Sequence, residues 1–114
     1  MLYLVSNPLT LPEGQYRVDK LSVDEVARMI READSQGALE SRIHFASSAA
    51  ALRSLAAVDI RTTRVAGEPY LTDSDTVIEI RLKPGSQGKV GLADLEFFSL
   101  RSSSTSFWPA IVND

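Results

Sequence analysis

The stretch Leu39-Glu40-Ser41-Arg42-Ile43-His44-Phe45-Ala46-Ser47-Ser48 decides the fold, because the chain changes its periodicity inside it. Leu39 to Ile43 reads as a short strand. From Ala46 to Val58 the chain is rich in Ala and Leu and reads as a helix, with Ser47 or Ser48 placed to cap its start. A strand running directly into a helix, in the middle of a chain with strand patterns on both sides, is the signature of an α/β fold.

Working outward toward the N-terminus, Ser22-Val23-Asp24-Glu25 has the form of a capping box and opens a helix in which Val26, Met29, Ile30 and Ala33 recur at helical spacing. This helix is expected to stop near Gly37. Tyr16 to Leu21 alternates, with Tyr16, Val18 and Leu21 assigned to the apolar side of a strand. Leu2 to Ser6 is a short apolar run ended by Asn7-Pro8 and reads as a buried strand.

Toward the C-terminus, Arg61 to Val65 is expected to extend again. Thr76 to Leu82 is the clearest strand, with Val77, Glu79 and Arg81 on one face and Ile78, Ile80 and Leu82 on the other. Leu92 to Leu95 reads as a helical turn and Glu96 to Arg101 as a last strand. Ser102 to Ser106 is a polar loop, and the apolar Phe107, Trp108, Ile111 and Val112 are expected to dock on the body or on a second subunit. The order predicts an α/β fold with a single mixed β-sheet flanked by helices.

Composition narrows the function. The 114 residues fit one domain, 1–114, with ordinary apolar (44%) and charged (24%) fractions. The net charge of −3 argues against a duplex-DNA-binding surface. With no cysteine and one histidine, the chain cannot build a disulfide, a thiolate metal site or a multi-histidine metal site by itself. No apolar run approaches the roughly 20 residues that span a bilayer. Met1-Leu2-Tyr3-Leu4-Val5 lacks a basic flank and reads as a strand, so a cytoplasmic protein with no membrane contact is expected.

His44 falls just before the predicted helix. The first N–H groups of a helix lack intrahelical partners and attract anions, helped by the helix dipole. Ser47 and Ser48 add hydroxyl donors there, and an imidazole beside them can donate a proton to an oxygen leaving phosphorus. The plain alternative is a lone surface or core histidine and two ordinary cap residues. Arg61, Arg64 and Arg81 carry the planar guanidinium that suits phosphate, against the plain alternative of surface ion pairs. Glu79 stands beside Arg81 on the same strand face and is the natural ion-pair partner. Asn7 and Thr10 follow the first strand, where loops line ligand sites in α/β sheets or simply turn the chain.

Taken together, these features resemble the viral anti-CRISPR ring nucleases and their bacterial relatives, which degrade cyclic tetra-adenylate, the second messenger of type III CRISPR defence. The resemblance runs from Leu2 to about Leu100. It rests on Asn7 after the first strand, His44 before a Ser-containing helix start, Arg64 after that helix, and Ser74-Asp75-Thr76-Val77-Ile78-Glu79-Ile80-Arg81-Leu82. It implies that His44 is the general acid and that Arg81 contacts the scissile phosphate. It places Asn7, Thr10, Ser47 and Arg64 around the substrate, where Ser48 joins them as a hydroxyl donor of the helix start. It further implies that no cofactor or metal is used and that a homodimer grips the two-fold ring. The sequence departs from the family pattern at Ile43, where a small residue is usual, and at Asn7-Pro8-Leu9-Thr10. Pro84 stands where the family often has a glutamate. Two other functions compete: a non-catalytic module that sequesters or senses a cyclic oligonucleotide, and a protein-interaction domain.

Overall fold

Backbone hydrogen bonding gathers five strands into one mixed sheet in the computed structural model, which describes residues 1–6, 16–63, 74–83 and 91–102. The elements follow in the order β1 (Leu2–Ser6), β2 (Tyr16–Leu21), α1 (Val23–Ser35), β3 (Leu39–Arg42), α2 (Ala46–Ala56) and β4 (Thr76–Leu82). A 3-10 turn (Leu92–Asp94) and β5 (Leu95–Ser102) complete them. The sheet order is β2-β5-β4-β1-β3. β3, β1 and β4 run parallel, β5 pairs antiparallel with β4, and β2 pairs antiparallel with β5. The two helices supply the crossovers that parallel strands require.

Helix α1 starts and stops where local chemistry dictates. Glu25 N–H donates to Ser22 Oγ at 3.2 Å, and Ser22 N–H donates to the Glu25 carboxylate at 3.1 Å. Both partners of the expected capping box are therefore present. At the other end Gly37 takes a left-handed φ of 66° while Ala38 N–H donates to the Ala33 carbonyl. Glycine adopts that conformation at less cost than any residue with a Cβ, which favours ending the helix here.

Alternation divides the sheet into two faces. Leu2, Leu4, Ile78, Ile80, Leu95 and Phe97 form the main core with Val26 and Ile30 of α1 and Ala49, Leu52 and Ala56 of α2. Both helices therefore cover the same face. The other face carries a smaller cluster of Val5, Val77 and Leu100, edged by Tyr3 and Phe98. Here Arg42 lies over the Tyr3 ring at 5.9 Å and pairs with Glu40 at 2.5 Å.

Three local expectations are corrected. Val18 was assigned to an apolar face but is 51% exposed, because β2 is the outermost strand and pairs only with β5. Leu21, of opposite parity to Tyr16 and Val18, is the β2 side chain that reaches the helix-side core. The cap of α2 is neither serine: the N-cap is Phe45, whose side chain makes no capping bond. Helix α2 also ends at Ala56, before Val58, because Ala57 turns left-handed (φ 56°) and Arg53 donates to the Ile60 carbonyl at 2.6 Å.

Arg61 to Thr63 forms no strand but is tied to the end of β3. Thr63 N–H donates to the Ile43 carbonyl at 2.8 Å, and Ser41 Oγ donates to the Arg61 carbonyl at 2.6 Å. Among the described residues no helix is long and apolar enough to cross a membrane. The expected polar loop after Ser102 and the apolar tail around Trp108 lie outside the described residues.

Candidate functional site

The carboxyl ends of the parallel strands β3, β1 and β4 share one edge of the sheet, the edge at which α/β sheets bind ligands. His44 emerges there, two residues beyond β3, and is exposed. Its backbone N–H donates to Ser6 Oγ at 3.3 Å, which ties it to the last residue of β1. Its ring Nδ1 lies 2.8 Å from the Thr63 carbonyl oxygen. A carbonyl only accepts, so this contact places the hydrogen on Nδ1. Nε2 is left as the atom that gains or gives up a proton.

Helix α2 begins immediately afterwards. Its first intrahelical bond is Ala49 N–H to the Phe45 carbonyl at 3.2 Å, so the N–H groups of Ala46, Ser47 and Ser48 have no partner within the helix. No acidic residue sits in this first turn. The positive end of the helix dipole therefore remains unneutralised by its own sequence.

A pocket of about 250 Å³ opens at this point. Ser6, Ser47 and Ser48 supply its hydroxyl side, and Phe45, Ile80, Leu82 and Leu95 its apolar side. No carboxylate is among these lining residues. Ser48 is only 8% exposed, yet its hydroxyl bonds to no described residue. Ser6 is 4% exposed and accepts from His44, with its own hydroxyl hydrogen uncommitted among the described residues. Two nearly buried serines and the start of α2 thus border this space, which neither His44 nor Ala46 lines.

Arg81 is placed differently. It lies on β4 with the parity of Val77 and Glu79, on the face away from the helices, and does not line the pocket that its neighbours Ile80 and Leu82 form. Its Nε donates to the buried Glu79 carboxylate, and its guanidinium lies 4.4 Å from the Phe98 ring centroid. The ion pair read from the sequence is thus present, reinforced by a cation–π contact. Asn7, Thr10 and Arg64 lie outside the described residues. So the structure brings His44, Ser47 and Ser48 to one edge and holds Arg81 on the other face of the same strand ends.

Ser6, Phe45 and Thr63 were not singled out from the sequence as site residues. Ser6 carried a signal: it is the polar last residue of the apolar run Leu2–Val5. Thr63 acts through its main-chain carbonyl, which leaves no mark in the sequence. Among the described residues no group of three His, Cys, Asp or Glu side chains could hold a metal ion.

The fold and site define a small α/β protein with an uncapped helix start at the carboxyl edge of a five-stranded sheet. Protein B116 of Sulfolobus turreted icosahedral virus has a similar fold, with a TM-score of 0.69 over 87% of this chain and 97% of that one. The two share 14% of their residues, so the likeness is one of fold. No family model matches the chain, and no curated protein matches it in sequence.

Proposed function

We propose that this protein is a metal-independent ring nuclease that cleaves cyclic tetra-adenylate to linear di-adenylates. The observation that carries the reading is His44: an exposed imidazole with Nδ1 directed at the Thr63 carbonyl, standing directly before an uncapped helix start. A phosphate seated on the N–H groups of Ala46 to Ser48 lies beside a ring nitrogen ready to act on it. The fold shared with a virus protein agrees with the viral family that the sequence resembles.

In this reading the ribose 2′-hydroxyl attacks the adjacent 3′-phosphate in line. A bond forms between O2′ and phosphorus, the hydroxyl proton passes to water, and the bond from phosphorus to the 5′-oxygen breaks. Nε2 of protonated His44 gives its proton to that departing oxygen. The helix-start N–H groups and the Ser47 hydroxyl stabilise the phosphoryl oxygens, Ser48 bonds the substrate beside them, and tight positioning supplies much of the acceleration. Arg81 approaches the phosphate from the other face of the sheet edge, where the ligand competes with Glu79 for the guanidinium. Asn7, Thr10 and Arg64 complete the grip. A ring with two-fold symmetry is matched by a homodimer in which each His44 serves one half, since closed two-fold pairs are the commonest assemblies. A cytoplasmic setting suits a soluble second messenger.

The second reading, a non-catalytic module that only holds the ring, is favoured by the engagement of Arg81 with Glu79 and Phe98. Incubation of cyclic tetra-adenylate with stoichiometric protein in EDTA separates the two. The nuclease yields linear di-adenylates ending in a cyclic phosphate. A ring that binds but stays intact after long incubation leaves the binding module. His44→Ala is expected to lower cleavage by about 10²- to 10⁴-fold while retaining binding; unchanged cleavage by this variant removes His44 from the mechanism.

A further inference from the structure

We propose that the pocket beside His44 is a subsite for a single planar heteroaromatic base of a phosphate-linked ligand, with Phe45 as its stacking wall. The inference rests on the reading of the helix start as a phosphate site and adds what lies next to the phosphate. An N-cap position favours Ser, Thr, Asp or Asn, and a side-chain cap is worth about 1 kcal/mol to a helix. Phe45 forgoes that bond and is 52% exposed. Leu82, at the end of β4, is 48% exposed and lines the same pocket. Two of the five exposed large apolar side chains among the described residues therefore line one space, together with the buried Ile80 and Leu95.

The occupant follows from what else faces that space. The Ser48 hydroxyl, in a residue 8% exposed, and the Ser6 hydroxyl, in one 4% exposed, both meet the pocket without a described acceptor. A purely apolar guest would leave them unpaired, at a cost that buried hydroxyls rarely bear. A fully polar guest would gain nothing from Phe45 and Leu82. A heteroaromatic base has an apolar face for the ring of Phe45 and an edge of donors and acceptors for the two serines. At about 250 Å³ the pocket falls below the roughly 300–1,000 Å³ of sites that enclose a drug-sized molecule, so it takes one base and not a whole ring of four. Phe45 follows His44 directly in the chain, so a base stacked on it has its phosphate at the start of α2.

The test uses ligands that require no cleavage. Adenosine 5′-monophosphate and ribose 5-phosphate are titrated by NMR into the wild-type protein, Phe45→Ala and Phe45→Trp. Stacking on one aromatic side chain sets the expected preference for the base-bearing probe at roughly 5- to 100-fold. Phe45→Ala should lose most of that preference and Phe45→Trp should keep it. Phe45 is exposed, so both variants should unfold at temperatures near the wild type. Equal affinity for the two probes, no detectable binding of either, or a preference that survives Phe45→Ala overturns the subsite. The nuclease reading fails separately. A base preference carried by Phe45 together with an intact ring retains the subsite without the reaction. Cleavage with a KM unchanged in Phe45→Ala retains the reaction without the subsite.

Discussion

Replacing Ser47 by Asp should make the protein more stable and its ligand bind less well, and the opposite signs test the anion site directly. Ser47 is exposed and is the second residue of α2, in a first turn with no acidic residue and no side-chain cap. A carboxylate there interacts favourably with the helix dipole, typically by about 0.3–1 kcal/mol at low ionic strength. For a domain of this size 1 kcal/mol moves Tm by roughly 4–8 °C, so the variant should melt a few degrees higher. The same carboxylate faces any bound phosphate. Two unit charges at ~4 Å repel by about 1 kcal/mol in bulk water and about 4 kcal/mol at an effective dielectric near 20. The expected loss of affinity lies between roughly fivefold and a thousandfold. Thermal melts in low salt, with and without cyclic tetra-adenylate, read both effects. The wild type should be shifted upward by the ligand and Ser47→Asp far less. A variant that melts lower than wild type, or that takes the ligand equally well, would refute the account of an unneutralised helix start as the anion site.

Other consequences follow from the packing and the ion pairs. Leu52→Ala, at a fully buried core position where α2 meets the sheet, should cost about 2–5 kcal/mol in chemical denaturation. Arg81→Ala strands the nearly buried Glu79 carboxylate and should cost about 1–3 kcal/mol, much of it recovered when Glu79→Gln is added; a double mutant no better than the single would remove the ion pair as the cause. The Glu25 carboxyl is held below its ordinary value, chiefly by hydrogen bonding to Ser22 and with a smaller contribution from Arg28. Its folded pKa lies below its unfolded one. The stabilisation is therefore present above the unfolded value and lost as pH falls through the folded one. Glu25→Gln should be the less stable protein at neutral pH in denaturant titrations, and the gap should close as the pH falls through the folded value of the Glu25 carboxyl.

Much of the fold was legible because local signals and tertiary structure agree. The bounds of β1 follow from an apolar run closed by turn residues, and those of β2 and β4 from alternation. The start of α1 follows from Ser22 and Glu25, and its end from Gly37. Where legibility failed, the missing information was non-local. The exposure of Val18 depends on β2 lying outermost, which the chain order does not reveal. The cap of α2 was misread because two serines follow a phenylalanine, and capping preference alone chooses serine. At the site, His44 and the two serines were legible as neighbours in sequence. The Thr63 carbonyl and the Ser6 hydroxyl were not, because they reach His44 through space from 19 residues downstream and 38 residues upstream.

The misread cap and the site have a common cause. A serine at position 45 would spend its hydroxyl on the N–H groups of the first turn. With phenylalanine there, those N–H groups stay open, the dipole stays unneutralised, and an aromatic ring lines the pocket in place of a cap. Helix α2 is left less stable at its start than a conventional cap would make it, and two of its first three residues, Ser47 and Ser48, line the pocket. Local rules are broken most often where function requires it. The reasoning predicts that Phe45→Ser, like Ser47→Asp, raises stability, here by about 0.5–2 kcal/mol, and weakens phosphate-ester binding. Denaturant titration and ligand-induced melting shifts on one preparation decide it. If Phe45→Ser is no more stable than wild type and binds as well, the uncapped helix start is incidental, and the anion site must be sought on the face that carries Arg81.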